Sequence, residues 1–389
     1  MTALHDLLDR GDRDGARALA QKTLEQKRTD GEALSALARL ALEAGEVDEA
    51  KGLLARVGPR DRNLYEVQLA EAMVLQLSDQ ADAARLAFAQ LTGTAPSRPE
   101  AFFALGLSLL EKQDAKGAER ALATAVKLAP KHFLYRFRHA EALAQSGRFE
   151  DAAAALMKSI ELRPDFTQAY LAIARMIEAS GQADRAREVL AAGLSAMPTD
   201  ARLLAELARL ELASGNVEGA LAQATNAPGG ALGLAEALME SNAHDAAIEL
   251  CERIEEQGQG SAKLTLVKAL AYENSARTDE ALAAYARAME QDPADWSAAN
   301  NRGLLLLEAF PGEPARLDEA KRDLDEAVKR AAGRVADPLL NLALWYGHAE
   351  QWAEGIAAAK QVVSHPKAGA LKAHAQKMLE SMQKAAART

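Results

Sequence analysis

The sequence predicts an all-α fold built from stacked helix–turn–helix repeats, and three observations carry that reading. Small residues recur at one spacing: Ala38, Ala72, Gly106, Ala140, Ala174 and Ala208 stand 34 positions apart. A second series, Ala50, Ala84, Ala118, Ala152, Ala186 and Ala220, keeps step 12 residues further on. Within each period apolar residues return every three or four positions, the pattern of amphipathic helices. A period of this length is that of one helix–turn–helix unit, which buries its apolar faces only by stacking on neighbours.

Composition agrees. A chain of 389 residues would ordinarily divide into two or three domains, but a solenoid grows by adding units. Aromatic residues make up only 4% and hydrophobic residues 49%, so helices can pack closely through small side chains. A net charge of −10 argues against a surface that tracks phosphates, because such binding comes from Lys and Arg neutralisation. The one cysteine, Cys251, excludes an intrachain disulfide and any CxxC motif; its apolar-spaced helix makes it a buried, inert thiol. The opening stretch MTALHDLLDRGDRDGAR has neither a basic n-region nor an apolar h-region. No window approaches the roughly 20 apolar residues of a membrane span. A cytoplasmic, soluble protein with no membrane insertion is expected.

The elements follow in order. Leu4 with Ala16 begins a truncated first unit. The clearest unit spans residues 99–132: its first helix carries Phe102, Leu105, Gly106 and Leu109, and its second Ala118, Leu122, Ala125 and Val126. Pro130 then prevents the second helix from continuing. These residues give the chain a specific likeness. It resembles the tetratricopeptide repeat family, whose pattern sets a small residue at position eight, alanine at twenty, a small residue near twenty-seven and proline at thirty-two. Gly106, Ala118, Ala125 and Pro130 fit, as do Ala140, Ala152, Ser159 and Pro164. Ala174, Ala186, Gly193 and Pro198 fit again, and so do Ala269, Ala281, Ala288 and Pro293. The small residues let the paired helices cross closely. With Ala343 and Gly355 marking the last unit, the register gives about eleven units over residues 1–367. The resemblance implies a right-handed superhelical solenoid. Residues 368–387 read as a C-terminal capping helix, with Lys372, Gln376, Lys377, Glu380, Gln383 and Lys384 on its polar face.

The period fails twice. Between Ala208 and Ala235 the spacing falls to 27, around Asn226-Ala-Pro-Gly-Gly230, a strong helix stop. The second helix of the seventh unit is therefore expected to be short, and Pro228, Gly229 and Gly230 form either a hinge or a tolerated deletion. The chain then divides into an N-terminal block of about seven repeats, 1–228, a C-terminal block of about four, 229–367, and a capping helix with a short tail, 368–389. Between Gly303 and Ala343 the spacing grows to 40; residues 310–316, beginning Phe310-Pro-Gly-Glu-Pro314, are expected to lengthen the turn inside the tenth unit, as a binding loop or a plain surface loop.

No catalytic signature occurs: there is no GxxxxGK[ST], GxSxG or HExxH. The histidines (His5, His132, His139, His244, His348, His365, His374) are scattered over different units, whereas zinc needs three or four convergent ligands. No enzyme activity, no metal and no cofactor is expected.

The resemblance implies that ligands lie on the concave face, at first-helix positions two, five, nine, twelve and thirteen. Those positions give an apolar stretch of Leu69, Met73, Phe103, Leu107, Leu110, Leu134 and Phe137. Next come Leu171, Arg175, Arg202 and Arg209, with Glu178 nearby, and later Leu266, Leu270, Asn274, Asn300 and Leu304. Such a groove suits an amphipathic or acidic-apolar segment of a partner protein, with arginines forking onto carboxylates; the alternative is that these side chains pack on the adjacent unit. The carboxylate clamp of chaperone-binding members is missing, since no three successive units carry its Lys and Asn pattern; Asn301 alone holds one of its positions. The reading is a non-catalytic scaffold or adaptor that binds a protein or peptide partner and assembles a cytoplasmic bacterial complex. Its alternatives are a regulatory subunit of a separate enzyme and, in third place, an RNA-binding helical repeat, which the acidity and the lack of an aromatic–basic code disfavour; no nucleic-acid partner is expected. The oligomeric state stays open. Trp345 and Trp352 serve either an end-to-end contact or the core, and Trp352 stands at a packing position.

Overall fold

A computed structural model describes Leu4, Leu7, Leu8 and residues 11–387; His5 lies outside the described residues. The chain forms two compact units, divided between Gln182 and Ala183. The first contains α1 (Arg13–Gln26), α2 (Gly31–Glu43), α3 (Val47–Ala55), α4 (Tyr65–Leu77), α5 (Ala81–Thr94), α6 (Pro99–Glu111), α7 (Ala115–Leu128), α8 (Phe133–Gln145), α9 (Phe149–Leu162) and α10 (Thr167–Ala179). The second contains α11 (Ala183–Ala196), α12 (Ala201–Ala213), α13 (Val217–Asn226), α14 (Gly230–Glu240), α15 (His244–Glu256) and α16 (Ala262–Asn274). It continues with α17 (Thr278–Gln291), α18 (Ser297–Ala309), α19 (Pro314–Ala331), α20 (Asp337–His348), α21 (Trp352–Ser364) and α22 (Leu371–Ala386). No strand occurs among the described residues, and the fold is all-α, as the periodicity predicts.

Local chemistry fixes the helix ends. Asp30 and Asp114 accept from the backbone N–H three residues on, at 3.1 and 3.0 Å, and so cap α2 and α7. Most turns from a first to a second helix, though not the turn 310–313, pass through one left-handed residue. Glycine fills that place at Gly45, Gly147 and Gly215, but Asp79, Gln113 and Ala276 adopt the same positive φ, where a Cβ is strained.

The two alanine series are the seams of the stack. Ala38, Ala208, Ala50, Ala84, Ala118, Ala152, Ala186 and Ala220 are wholly buried. At Gly106 even a methyl group is too large: a Cβ there would stand 2.4 Å from Leu122 Cγ on α7. Gly303 repeats the arrangement in the second unit, with Leu324 Cγ at 2.7 Å.

The short spacing behaves as expected: α13 has 10 residues against 14 in α7. Gly229 and Gly230 take φ of +78° and +65°, and a Cβ on Gly233 would lie 1.7 Å from the Pro228 carbonyl oxygen. α12 packs directly on α14 and reaches α15. A single hydrophobic cluster runs through the break, from Leu204, Ala220 and Ala224 to Leu234, Leu238 and Cys251. The register break thus lies inside the second compact unit, while the unit boundary falls inside the sixth repeat.

Contrary to what its sequence predicts, the long spacing is not mainly taken up by the turn. The turn 310–313 is one residue longer than the turn 112–114, whereas α19 has 18 residues against 14 in α7. Most of the insertion therefore extends a helix and not a turn. Pro314 starts α19 at its first position, where the missing N–H costs nothing, and the pairs Lys321–Asp325 and Glu326–Arg330 brace the helix at i,i+4 spacing. At the C-terminal end Ala375, Leu379 and Met382 of α22 are buried, and Met382 lies against Gly347 and Gly355. The polar residues of α22, Lys372 to Lys384, face outward.

Candidate functional site: two grooves along the first helices

In the first unit the first helices α4, α6 and α8, with α2, surround a groove of about 490 Å³. Leu69, Met73, Phe103, Leu107 and Leu134 line it together, five of the seven apolar residues singled out above. Their contributions differ. Leu69 is only 2% exposed and belongs to the core between α4 and α5, whereas Met73, Phe103, Leu107 and Leu134 are half-buried. Leu110 lies beside Leu107 in an adjoining depression.

Phe137 stands apart. It is 7% exposed, its ring meets Phe166 edge-on at 5.0 Å, and the Arg138 guanidinium lies 5.6 Å from it. Phe166 occupies the repeat position that His132 holds one period earlier, and the bulkier ring covers Phe137. His132 instead stacks on Tyr135 at 3.7 Å, and Tyr135 meets Phe103 at 4.5 Å. His132 and Tyr135 therefore extend the wall of the groove, and position-by-position reading missed both. The signal was there in the aromatic run His132-Phe133-Leu134-Tyr135, but the family's ligand positions skip 132 and 135.

The charged groups of this groove are satisfied within the fold. Arg13 binds Glu43 at 2.7 Å, Gln76 donates to Glu111, and Glu100 accepts from Arg98 and Tyr65, each at 3.3 Å. Behind the groove Arg98 also binds Glu66 at 2.6 Å. Burial holds the Glu66 carboxyl above its ordinary range, opposed by Arg98 and Arg39. Burial likewise pushes His132 below its ordinary value, with Glu100 opposing, and does the same to His139.

Of the remaining residues, Leu171 is half-buried and Arg175 exposed on α10 of the first unit. Arg202 is exposed on α12 of the second, where Arg209 binds Glu206 at 3.1 Å. They belong to separate compact units.

The second unit carries its own groove of about 810 Å³, between α14, α16 and the segment 292–297. Leu232, Leu266, Val267, Leu270 and Trp296 line it, with Glu236, Glu240, Asp292 and Asp295 at its rim. Asn300 is buried, accepting from Asn341 at 2.9 Å and donating to Asn301 at 3.1 Å. Trp345 is buried and donates to the Leu317 carbonyl at 2.7 Å; Trp352 is half-buried. Cys251 is fully buried, and desolvation pushes its thiol up to about 12, so it is not a thiolate near neutrality. Among the described residues no three His, Cys, Asp or Glu side chains converge on a metal site, and no helix is long and apolar enough to cross a membrane.

Comparison with known proteins follows the same repeats. Tetratricopeptide repeat profiles match residues 7–74 and, in four further matches, 69–133, 103–170, 137–201 and 266–312, together more than half of the chain. No curated protein matches. Similar solved structures include MamA of MSR-1, at 25% identity, covering 41% of this chain and 91% of that one with a TM-score of 0.36. Pseudomonas aeruginosa PilF is 19% identical, covering 55% and 90% with a TM-score of 0.44. YrrB, described as a tetratricopeptide repeat protein with an unusual peptide-binding site, is 18% identical, covering 50% and 97% with a TM-score of 0.38.

Proposed function

The chain belongs to the tetratricopeptide repeat family, and we propose that it is a non-catalytic adaptor that captures an apolar segment of a partner protein in the first-unit groove. Proteins of this family are generally interaction scaffolds. The observation that carries the reading is the row Met73, Phe103, Leu107 and Leu134, half-buried around one cavity whose charged neighbours are already paired. Covering the part of each side chain that is still exposed gains a fraction of the roughly 1.5–3 kcal/mol for burying a whole one, and an amphipathic helix presents its own apolar stripe at matching intervals. The arginines Arg175 of the first unit and Arg202 and Arg209 of the second stay candidate contacts for partner carboxylates, each within its own unit. Pro228, Gly229 and Gly230 are the candidate hinge, against which the continuous core around them weighs. A cytoplasmic bacterial complex is the setting in which such an adaptor would work; if the captured segment belongs to an enzyme, the chain is that enzyme's regulatory subunit.

The test is affinity capture with the intact chain, identification of the partner, and binding of the purified partner to Leu107→Asp and Phe103→Ala. Both variants keep their helicity and lose at least tenfold in affinity. Undiminished binding by folded Leu107→Asp would overturn the proposal.

A further inference from the structure

The second groove differs from the first in the state of its charges. Its floor is apolar and partly open: Leu232, Leu266, Leu270 and Trp296 are half-buried. Above it, Glu236 and Glu240 stand exposed on α14, one turn apart. Across the floor are Asp292 and Asp295, whose carboxylates accept only local bonds, from the Ala294 N–H at 3.1 Å and from Ser297. Among the described residues no lysine or arginine pairs with any of the four carboxylates, although the Arg330 guanidinium donates to the Asp295 backbone carbonyl at 3.1 Å. Two cations share the rim. Lys263 is exposed, and Arg334 is turned onto the carbonyls of Ala331 and Arg330 at 3.1 and 2.9 Å. The cavity thus joins an apolar strip to an excess of uncompensated negative charge on opposite walls.

We infer that this groove is a second docking site, independent of the first, for a basic amphipathic segment of a partner protein. Apolar residues one helical turn apart fill the strip between Leu232, Leu266 and Leu270, and Lys or Arg side chains flank them to meet Glu236 and Glu240 on one side and Asp292 on the other. Lysine and arginine suit the role because their long stems cover apolar surface while their heads reach a charged rim. An acidic segment is refused here by like-charge repulsion, which gives the two grooves different specificities.

The experiment uses the full chain and two synthetic helical peptides with the same leucines at i, i+3, i+4 and i+7, one with lysine and one with glutamate elsewhere. Calorimetric titration is run on the intact chain and on the doubly substituted E236K/E240K, whose changes lie on an exposed helix surface. The lysine peptide is expected to bind the intact chain at least about tenfold more tightly than the glutamate peptide, as two or three exposed ion pairs allow. E236K/E240K erases or reverses that preference. Leu270→Asp weakens the lysine peptide while leaving the helix content intact. Equal affinities for the two peptides, or a preference that survives in E236K/E240K, would overturn the inference. So would undiminished binding by a folded Leu270→Asp chain.

Discussion

The two grooves use the same part of the repeat, the row of first helices, and differ in what their rims do with charge. Around the first, Arg13 and Arg98 neutralise Glu43 and Glu100 while the Gln76 amide donates to Glu111, so its surface is mainly apolar and aromatic. Around the second, Glu236, Glu240 and Asp292 form no ion pair among the described residues, although Lys263 and Arg334 share the rim. One backbone scheme thereby yields two recognition chemistries, because the stack depends on the alanine seams and leaves the groove positions free to vary. Surface charges of the second kind act over about one Debye length, whereas burial of leucine and phenylalanine is insensitive to modest salt.

The largest expected effect separates core from groove within the first unit. Phe137→Ala removes a buried ring packed against Phe166 and is expected to cost about 3–5 kcal/mol in urea denaturation. Phe103→Ala, at the same repeat position but open to the groove, should cost roughly half as much. Equal costs would place Phe103 in the core and shrink the first groove to its leucines.

Acidification should sharpen the contrast between the units. Burial depresses His132 and His139, so their contribution is present above the ordinary histidine value of about 6.5 and lost as the pH falls through the lower folded values. Asp323, buried beside Arg302 at 2.7 Å, moves the other way. Desolvation raises it from 3.8 to about 6, so its contribution is present below the ordinary carboxylate range and lost as the pH rises through about 6. Glu66, on α4 of the first unit, is raised too, so its own contribution is gained as the pH falls; α8, which carries His139 and follows His132, is the helix that reads the histidines. Lowering the pH from neutrality to about 5.5 is expected to loosen α8 and tighten the α18–α19 pair by less than a kilocalorie or two. Amide hydrogen exchange, corrected for intrinsic rates, reads both helices in one sample; protection moving in the same direction at both would break the contrast.

The smallest effect concerns the turns. Ala276 sits at φ +56° where Gly215 serves an earlier repeat, so Ala276→Gly should stabilise the second unit by about 0.5–1 kcal/mol, the left-handed strain less the added chain entropy. A loss of stability on thermal denaturation would show that Ala276 pays no such strain.

Much of this was legible in the sequence. The alanine seams, the shortened α13 and the outward face of α22 follow from period and composition, since each rests on contacts inside one repeat or with the next. The first groove was legible as a set of residues but not as a surface. Phe103 and Phe137 share a repeat position, and their fates differ because Phe166 covers one while His132 leaves the other open. Phe310-Pro-Gly-Glu-Pro314 reads as a loop in sequence, although Pro314 begins a helix that the following charged pairs sustain. The unit boundary at Gln182 had no signal at all, because the beat passes through it unbroken from Ala174 to Ala186.

The most direct test of the central claim maps both grooves in one experiment. The full chain is mixed in turn with the lysine peptide and with an uncharged peptide carrying the same leucines, and amide exchange is followed at low and high salt. The uncharged peptide is expected to protect α4, α6 and α8 at both salt concentrations, and the lysine peptide to protect α14 and α16 at low salt only. Protection of the same helices by both peptides would contradict the account.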